Sequence, residues 1–197
     1  MNSNSKIIKD IALEAMMLAL LIISSKISFN IGPIPITLQT FVVILVSLFL
    51  GVKKSIFVFL TYIALGLIGL PVFSKNYGGF NYIYEPSFGF IIGFLASSIF
   101  VGFFNKLNKT YKIVTSSFFG ILIIYIFGII HFYIIFNYHL GLNKDLLYIL
   151  EVGVMPFIFK DILSAILASI IYVRLNSFLK INRIQNNDLI LEKNKTH

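Results

Sequence analysis

Apolar residues fall in long runs rather than in strand alternation or the single stripe of a soluble helix. Polar and turn-forming residues gather in short clusters between the runs. The pattern predicts six helices. The first runs from about Ile7 to Ser25 and the second from Thr37 to Gly51, after a loop holding Gly32, Pro33 and Pro35. The third covers about Ser55–Leu70 and is stopped by Gly69 and Pro71. The fourth covers about Phe88–Asn105 and the fifth Ile113–Phe136. The last segment extends from about Leu146 to Asn176, and Pro156 is expected to kink or restart it. Between the third and fourth runs, Val72–Ser87 is rich in Gly, Asn and Tyr and has no clear period. Runs of roughly 15–25 residues suit a 30 Å hydrocarbon core, and the short second and third imply tilted or broken helices.

Composition turns that pattern into a membrane protein. Of 197 residues, 58% are hydrophobic and only 12% charged, where soluble domains carry about 25% charge. Mean hydropathy is +0.92. The expected fold class is an all-α integral membrane protein, with a single six-helix domain over 1–176 and a polar, basic, cytoplasmic tail over 177–197. Lys6 and Lys9 before an apolar run resemble a signal peptide, but Asp10 and Glu14 interrupt it, so a retained first helix is expected. The net charge of +8 is dispersed between apolar runs and gives no sign of nucleic-acid binding. It encodes topology instead. Lys6, Lys9, Lys53, Lys54, Lys106, Lys109, Lys112, Arg174 and the tail cations belong to the termini and even-numbered connections, whereas the odd ones hold only Lys26, Lys75 and Lys144. That asymmetry places both termini in the cytoplasm and the Gly/Pro loops outside.

The candidate chemistry sits at the outer end. Asp161 lies in the apolar stretch MPFIFKDILSAILAS, where an acid costs roughly 2.5–3.5 kcal/mol on insertion scales. It reads as the floor of a binding site, as a structural acid paired with a neighbouring helix, or as an acid at the membrane surface. Ser164 shares its helix face. Ala165 and Ser169 form a small-residue face that a second helix can approach. Gln39 can donate and accept hydrogen bonds, which suits an amide or ureido group or an interhelical bond. In the long loop, Gly78 and Gly79 are expected to let the backbone approach a ligand closely. Asn76, Tyr77, Asn81, Tyr82 and Tyr84 offer amides, hydroxyls and rings there, as a lid or as an interfacial belt. Gly89, Gly93 and Ser97 read as a packing face within the bundle, and Ala15 and Ala19 as a face for a second protein. His131 reads as a hydrogen-bonded interior residue. The sequence has no cysteine, no Walker motif, no nucleophile elbow and no His-Glu-x-x-His. No catalytic residue, metal site or cofactor is expected, and the chain reads as a non-enzyme.

Three stretches, PIPITLQT, GLPVF followed by a Gly-Gly loop and EPSFGFIIGF, and MPFIFKDILSAILA, together resemble the BioY family over roughly Ala12 to Arg174. These are biotin-binding S components of energy-coupling factor (ECF) vitamin transporters. The resemblance implies a six-helix S-component fold with the vitamin bound near the outer face, beneath the loops between helices 1 and 2 and between helices 3 and 4. It adds Ser87 to the candidate substrate-binding residues Gln39, Asn76, Tyr77, Gly78, Gly79, Tyr84, Asp161 and Ser164. It also implies that Ala15 and Ala19 dock on a transmembrane coupling subunit, which joins two ATPases. This chain departs from the family pattern at several places, among them Glu85, Phe90, Phe159 and Lys160. Ser164 stands where the family has Lys, Ile91 where some members have Arg, and Phe88 where a Gly is usual.

With those cations missing, Lys75 or loop N–H groups are expected to face a ligand carboxylate, and Lys160 is expected to snorkel outward. The competing readings are a BioY-like subunit for a different small acid or neutral heterocycle, a membrane enzyme using Asp161 with His131, and a self-sufficient secondary carrier.

Overall fold

The computed structural model describes residues 3–30, 32–104 and 109–195. Among these are six α-helices: α1 (Ser3–Lys26), α2 (Gln39–Leu67), α3 (Phe88–Phe103), α4 (Thr110–Ile134), α5 (Leu146–Gly153) and α6 (Met155–Lys195). A two-stranded antiparallel hairpin, β1 (Ser28–Asn30) and β2 (Pro35–Thr37), joins α1 to α2, with Ser28 opposite Thr37. A short 3-10 helix, Phe80–Tyr84, lies in the loop before α3, and a π-helical turn, Ile135–His139, extends α4.

The second and third apolar runs form one helical segment, α2, broken at Gly51, whose φ is 70° and ψ 180°. That combination is open to glycine and strained for other residues. Gln39 and Tyr62 would be about 34 Å apart along a straight helix, yet Gln39 Nε2 donates to the Tyr62 hydroxyl at 2.9 Å. The chain therefore reverses at Gly51, and the halves of α2 run antiparallel as two short rods. With them, α1, α3, α4 and α6, the bundle has the six expected rods. Val154 interrupts helical geometry between α5 and α6, so the last segment does restart beside Pro156. Helix α6 runs on to Lys195, so the stretch read as a tail from Ser177 continues the helix. The expected end of the fourth run at Asn105, and Lys106, lie outside the described residues.

The first half of α2 is the centre. Val43, Ile44, Val46 and Leu48 are fully buried, as expected of a helix apolar on all sides. The surrounding rods turn apolar stripes outward: Leu122, Ile126 and Ile130 on α4, and Ile162, Ile166 and Ile170 on α6. A soluble protein rarely exposes such continuous apolar surface; lipid satisfies it. Small residues make the seams. A Cβ at Gly93 would lie 2.8 Å from the Ile124 Cα, so α3 touches α4 backbone to backbone. Ser117 and Ser169 hydroxyls meet at 3.0 Å between α4 and α6, with Ala165 fully buried nearby in sequence. Both packing faces are where the sequence placed them.

Two contacts sort the ends of the bundle. The Asp10–Lys54 ion pair, at 2.7 Å, sets the start of α1 beside the Gly51 reversal. Lys26 Nζ donates to the Phe73 carbonyl at 2.6 Å, which sets the end of α1 against the long loop. The hairpin and the start of α6 share that second end, because Lys160 Nζ donates to the Thr37 carbonyl at 3.0 Å.

Gly51→Ala is expected to destabilise the protein by about 1–3 kcal/mol, the cost of a non-glycine residue in that backbone region. Thermal unfolding in detergent measures it. Equal stability of Gly51→Ala and the unaltered chain would refute the reversal's dependence on glycine.

Candidate functional site

A narrow cavity of about 40 Å³ lies under the hairpin and the long loop, smaller than an open small-molecule site and closed down on its own polar groups. The hairpin gives Ile34, Pro35 and Thr37, and the start of α2 gives Gln39 and Thr40. Ser74 and Ser87 come from the two ends of the long loop. The aromatic wall is Phe90 and Phe94 of α3 with Phe157 of α6. Tyr125 of α4 and Lys160 and Asp161 of α6 supply the strongest polar groups.

Asp161 and Lys160 form an ion pair, with side chains only 4% and 22% exposed. The second Asp161 oxygen accepts from the Tyr125 hydroxyl at 2.6 Å. Lys160 Nζ also donates to the Thr37 carbonyl at 3.0 Å and more loosely to the Thr40 hydroxyl at 3.4 Å. All three ammonium protons therefore have acceptors, and both carboxylate oxygens have donors. Such complete pairing is what lets two charges leave water, each at several kcal/mol of desolvation. Pro156 sits in the first turn of α6, where its missing N–H leaves no gap. Lys160 and Asp161 follow in the next turn, facing the hairpin.

The expectation that Lys160 snorkels outward is therefore corrected. A neighbouring carboxylate and the Thr37 carbonyl draw it inward across the top of the cavity. Lys75 is corrected too. It pairs with Glu85 inside the long loop and is absent from the cavity wall. Asp161 lines the cavity and is bonded to Tyr125 of a neighbouring helix.

Of the other candidate residues, the cavity collects Gln39 and Ser87. Gln39 spans from floor to loop. Its Nε2 donates to the Tyr62 hydroxyl, which donates to the Val72 carbonyl at 3.1 Å, and Ser25 Oγ bonds that same carbonyl at 2.7 Å. Ser164 is buried but turns its hydroxyl back to the Lys160 carbonyl at 2.9 Å and does not line the cavity. Asn76, Tyr77, Gly78, Gly79 and Tyr84 stay in the cover above it. The close approach at Gly78 is to protein, not to the cavity, because a Cβ there would sit 2.4 Å from the Leu70 carbonyl oxygen. The Gly79 N–H donates to the Gly66 carbonyl at 2.7 Å, so this glycine pair seats the loop on the end of α2. Tyr77 donates to Glu85, and burial together with that carboxylate pushes its hydroxyl above the ordinary phenol range. Tyr84 stacks on His139 at 4.6 Å. Beneath them Phe73 and Tyr82, both fully buried, pack with Tyr62 and Phe88 as an aromatic plug. His131 is the hydrogen-bonded interior residue expected, 3.2 Å from the Glu85 carbonyl.

Sequence reasoning missed Tyr125, Thr37 and Thr40. Tyr125 had a signal. It is the one hydroxyl in the apolar run from Phe118 to Ile130, and a buried tyrosine hydroxyl needs a partner.

Asp161→Ala leaves the Lys160 ammonium without its carboxylate and is expected to cost about 3–5 kcal/mol of stability. Tyr125→Phe removes one bond to a charged acceptor and is expected to cost about 1.5–3 kcal/mol. Replacing the pair together, Lys160→Met with Asp161→Leu, should recover much of the loss, because no charge is then left unpaired. Unfolding in detergent measures all three; strictly additive losses in the double variant would show that the two side chains do not depend on each other.

The profile of the family described as BioY matches residues 1–181. A probable biotin transporter BioY from Pyrococcus horikoshii is 37% identical over 167 residues, covering 85% of this chain and 96% of that protein. The biotin transporter BioY of Thermotoga maritima is 31% identical over 158 residues, covering 80% and 89%. Among solved structures, the S-component for biotin from an ECF-type ABC transporter superposes with a TM-score of 0.78 at 29% identity, covering 90% of this chain and 95% of that one. The fold is thus the all-α S-component fold expected from the sequence, and these relatives are transport proteins rather than enzymes. The hairpinned α2, the covered cavity and the matched sequences have one explanation: the chain belongs to the BioY family.

Proposed function

We propose that this chain is the substrate-binding (S) subunit of an ECF transporter and that its cavity takes up biotin from outside the cell. The observation that carries the reading is a covered cavity in which an ammonium, a carboxylate, an amide and several hydroxyls face an aromatic wall. A ureido ring presents one carbonyl and two N–H groups on a flat, otherwise apolar frame. Lys160 and the hydroxyls match the carbonyl, Asp161 and Gln39 the N–H groups, and Phe90, Phe94 and Phe157 the apolar frame. The names of the relatives support the same ligand.

In this reading Gln39, Ser87 and Asp161 touch substrate. Ser164 holds the α6 turn, and Asn76, Tyr77, Gly78, Gly79 and Tyr84 form a cover that must shift for entry. Both termini and the Gly51 reversal face the cytoplasm, where the basic residues gather, and the protein is a multi-pass protein of the cell membrane. Residues 1–176 are the membrane domain and 177–197 a cytoplasmic extension. Ala15 and Ala19 are exposed on α1. Ala15 lines a shallow groove with Ile11, Leu18 and Phe57. That face docks on the coupling subunit, whose two ATPases supply the energy.

Titration of the detergent-solubilised chain with biotin and with lipoate, which lacks the ureido ring, tests the substrate. Biotin is expected to bind at least tenfold more tightly. Retention of a different vitamin through purification, with no biotin binding, would overturn the assignment. Ala19→Arg is expected to block uptake and co-purification of the coupling subunit while leaving biotin binding by the isolated chain intact, because the cavity is built on other helices. Lost binding with assembly preserved would reverse the roles of the two surfaces.

A further inference from the structure

The cavity wall contains two charged residues, Lys160 and Asp161, and they are paired with each other. We infer that the cavity reads the neutral ring of its ligand and not its acid group, so that carboxyl-blocked esters and amides are taken as readily as the free acid. This rests on the biotin reading and names the range of ligands the same site admits.

The argument is a census of cations. A ligand carboxylate wants an unspent positive group or several free N–H donors. The Lys160 ammonium touches Asp161, so an acid brought to it also meets the Asp161 carboxylate, and the attraction is offset by repulsion from nearly the same distance. Its loosest contact, the 3.4 Å one to Thr40, is the one a neutral carbonyl oxygen can take over without bringing a second negative charge to Asp161. Asp161 in turn keeps free lone pairs after bonding Lys160 and Tyr125, and those accept ring N–H groups. Ser164, Ile91 and Phe88 contribute no charge. The other cations on that side among the described residues are engaged elsewhere: Lys75 with Glu85, Lys26 with the Phe73 carbonyl, and Lys144 over the Tyr148 ring. The remaining polar lining, Thr37, Gln39, Thr40, Ser74, Ser87 and Tyr125, is neutral. At the start of α3, the Phe88 and Phe90 N–H groups are spent on the Glu85 and Ser87 carbonyls. A ring seated at Lys160 and Asp161 leaves its acid-bearing chain to lie along apolar wall or toward water, where an ester or amide costs nothing extra.

The test is a three-ligand titration of the full chain in detergent with biotin, biotin methyl ester and biotin amide. The expected affinities agree within about threefold, and Lys75→Ala changes none of them. In Lys160→Met the unpaired Asp161 should disfavour the acid, so that the ester and amide then bind more tightly than biotin. If Lys160 holds the carboxylate instead, the unaltered chain will prefer the acid by roughly ten- to a hundred-fold, the usual loss of a charge-assisted hydrogen bond, and Lys160→Met will abolish that preference. Either result overturns the inference while leaving biotin as substrate. Absence of binding by all three ligands overturns the biotin reading itself.

Discussion

The Lys160–Asp161 pair is the constraint around which this end of the molecule is arranged. Two charges inside an apolar helix are tolerable only when every proton and lone pair they present is answered. The answers come from far along the chain: Tyr125 from α4, the Thr37 carbonyl from the hairpin, the Thr40 hydroxyl from the start of α2. The pair therefore fastens three elements to α6 at once, and the space left between them is the cavity. A purely apolar α6 would pack as well in lipid but would give the hairpin no reason to lie across it. Stability and recognition draw on the same atoms here, which is why a ligand that replaces one contact need not leave a charge uncovered.

The reversal at Gly51 performs the matching task on the other side of the cavity. It folds one apolar segment into two rods of about 20–24 Å at 1.5 Å per residue, each shorter than a 30 Å hydrocarbon core. The shortfall is made up by non-helical chain, the hairpin above the first rod and the long loop above the second. Irregular backbone at such depth survives only when buried in protein or lining a cavity. Here it does both. Phe73 plugs the space beneath the loop, and Gly66, where a Cβ would sit 2.0 Å from that ring, makes room for it. The Ser25, Tyr62 and Gln39 bonds tie the loop's first residues to α1 and α2, so the cover is anchored at its base while Tyr77 and Tyr84 remain exposed above.

How much of this was legible in the sequence depends on whether a residue's role is set by its own helix or by a neighbour. The six runs, the restart at Pro156, the small-residue seams at Gly93 and Ser169, and the need of Asp161 for a partner are statements about one segment, and they hold. Gln39 stood out as a polar group beside an apolar run, whereas Ser87 came from the family resemblance alone. The inward turn of Lys160 was not legible, because helical periodicity gives the angle of a side chain but not the carbonyl from a distant hairpin that draws it in. Tyr125 was overlooked because an aromatic in an apolar run reads as lipid-facing until a partner is known. The glycine pair at 78–79 was expected to approach a ligand, but the close approach at Gly78 is to the end of α2 and the residues just after it. The β-hairpin was missed because two three-residue strands carry too little period to register.

The substitution pattern makes physical sense once those partners are known. The resemblance implies a Lys at the position of Ser164, one helical turn after Lys160, and residues four apart share a helix face. Helix α6 carries its ammonium at Lys160 instead, one turn nearer the hairpin. At Ser164 a lysine would emerge deeper in the bundle, whereas at 160 it reaches the hairpin carbonyl and the start of α2. Ser164 then returns its hydroxyl to the Lys160 carbonyl, closing its own hydrogen-bonding need without a ligand. The cavity keeps a balanced ammonium and carboxylate, but the ammonium now comes from the side that carries the cover. One side chain thereby joins the hairpin, the start of α2 and the cavity wall, through the Thr37 carbonyl and the Thr40 hydroxyl.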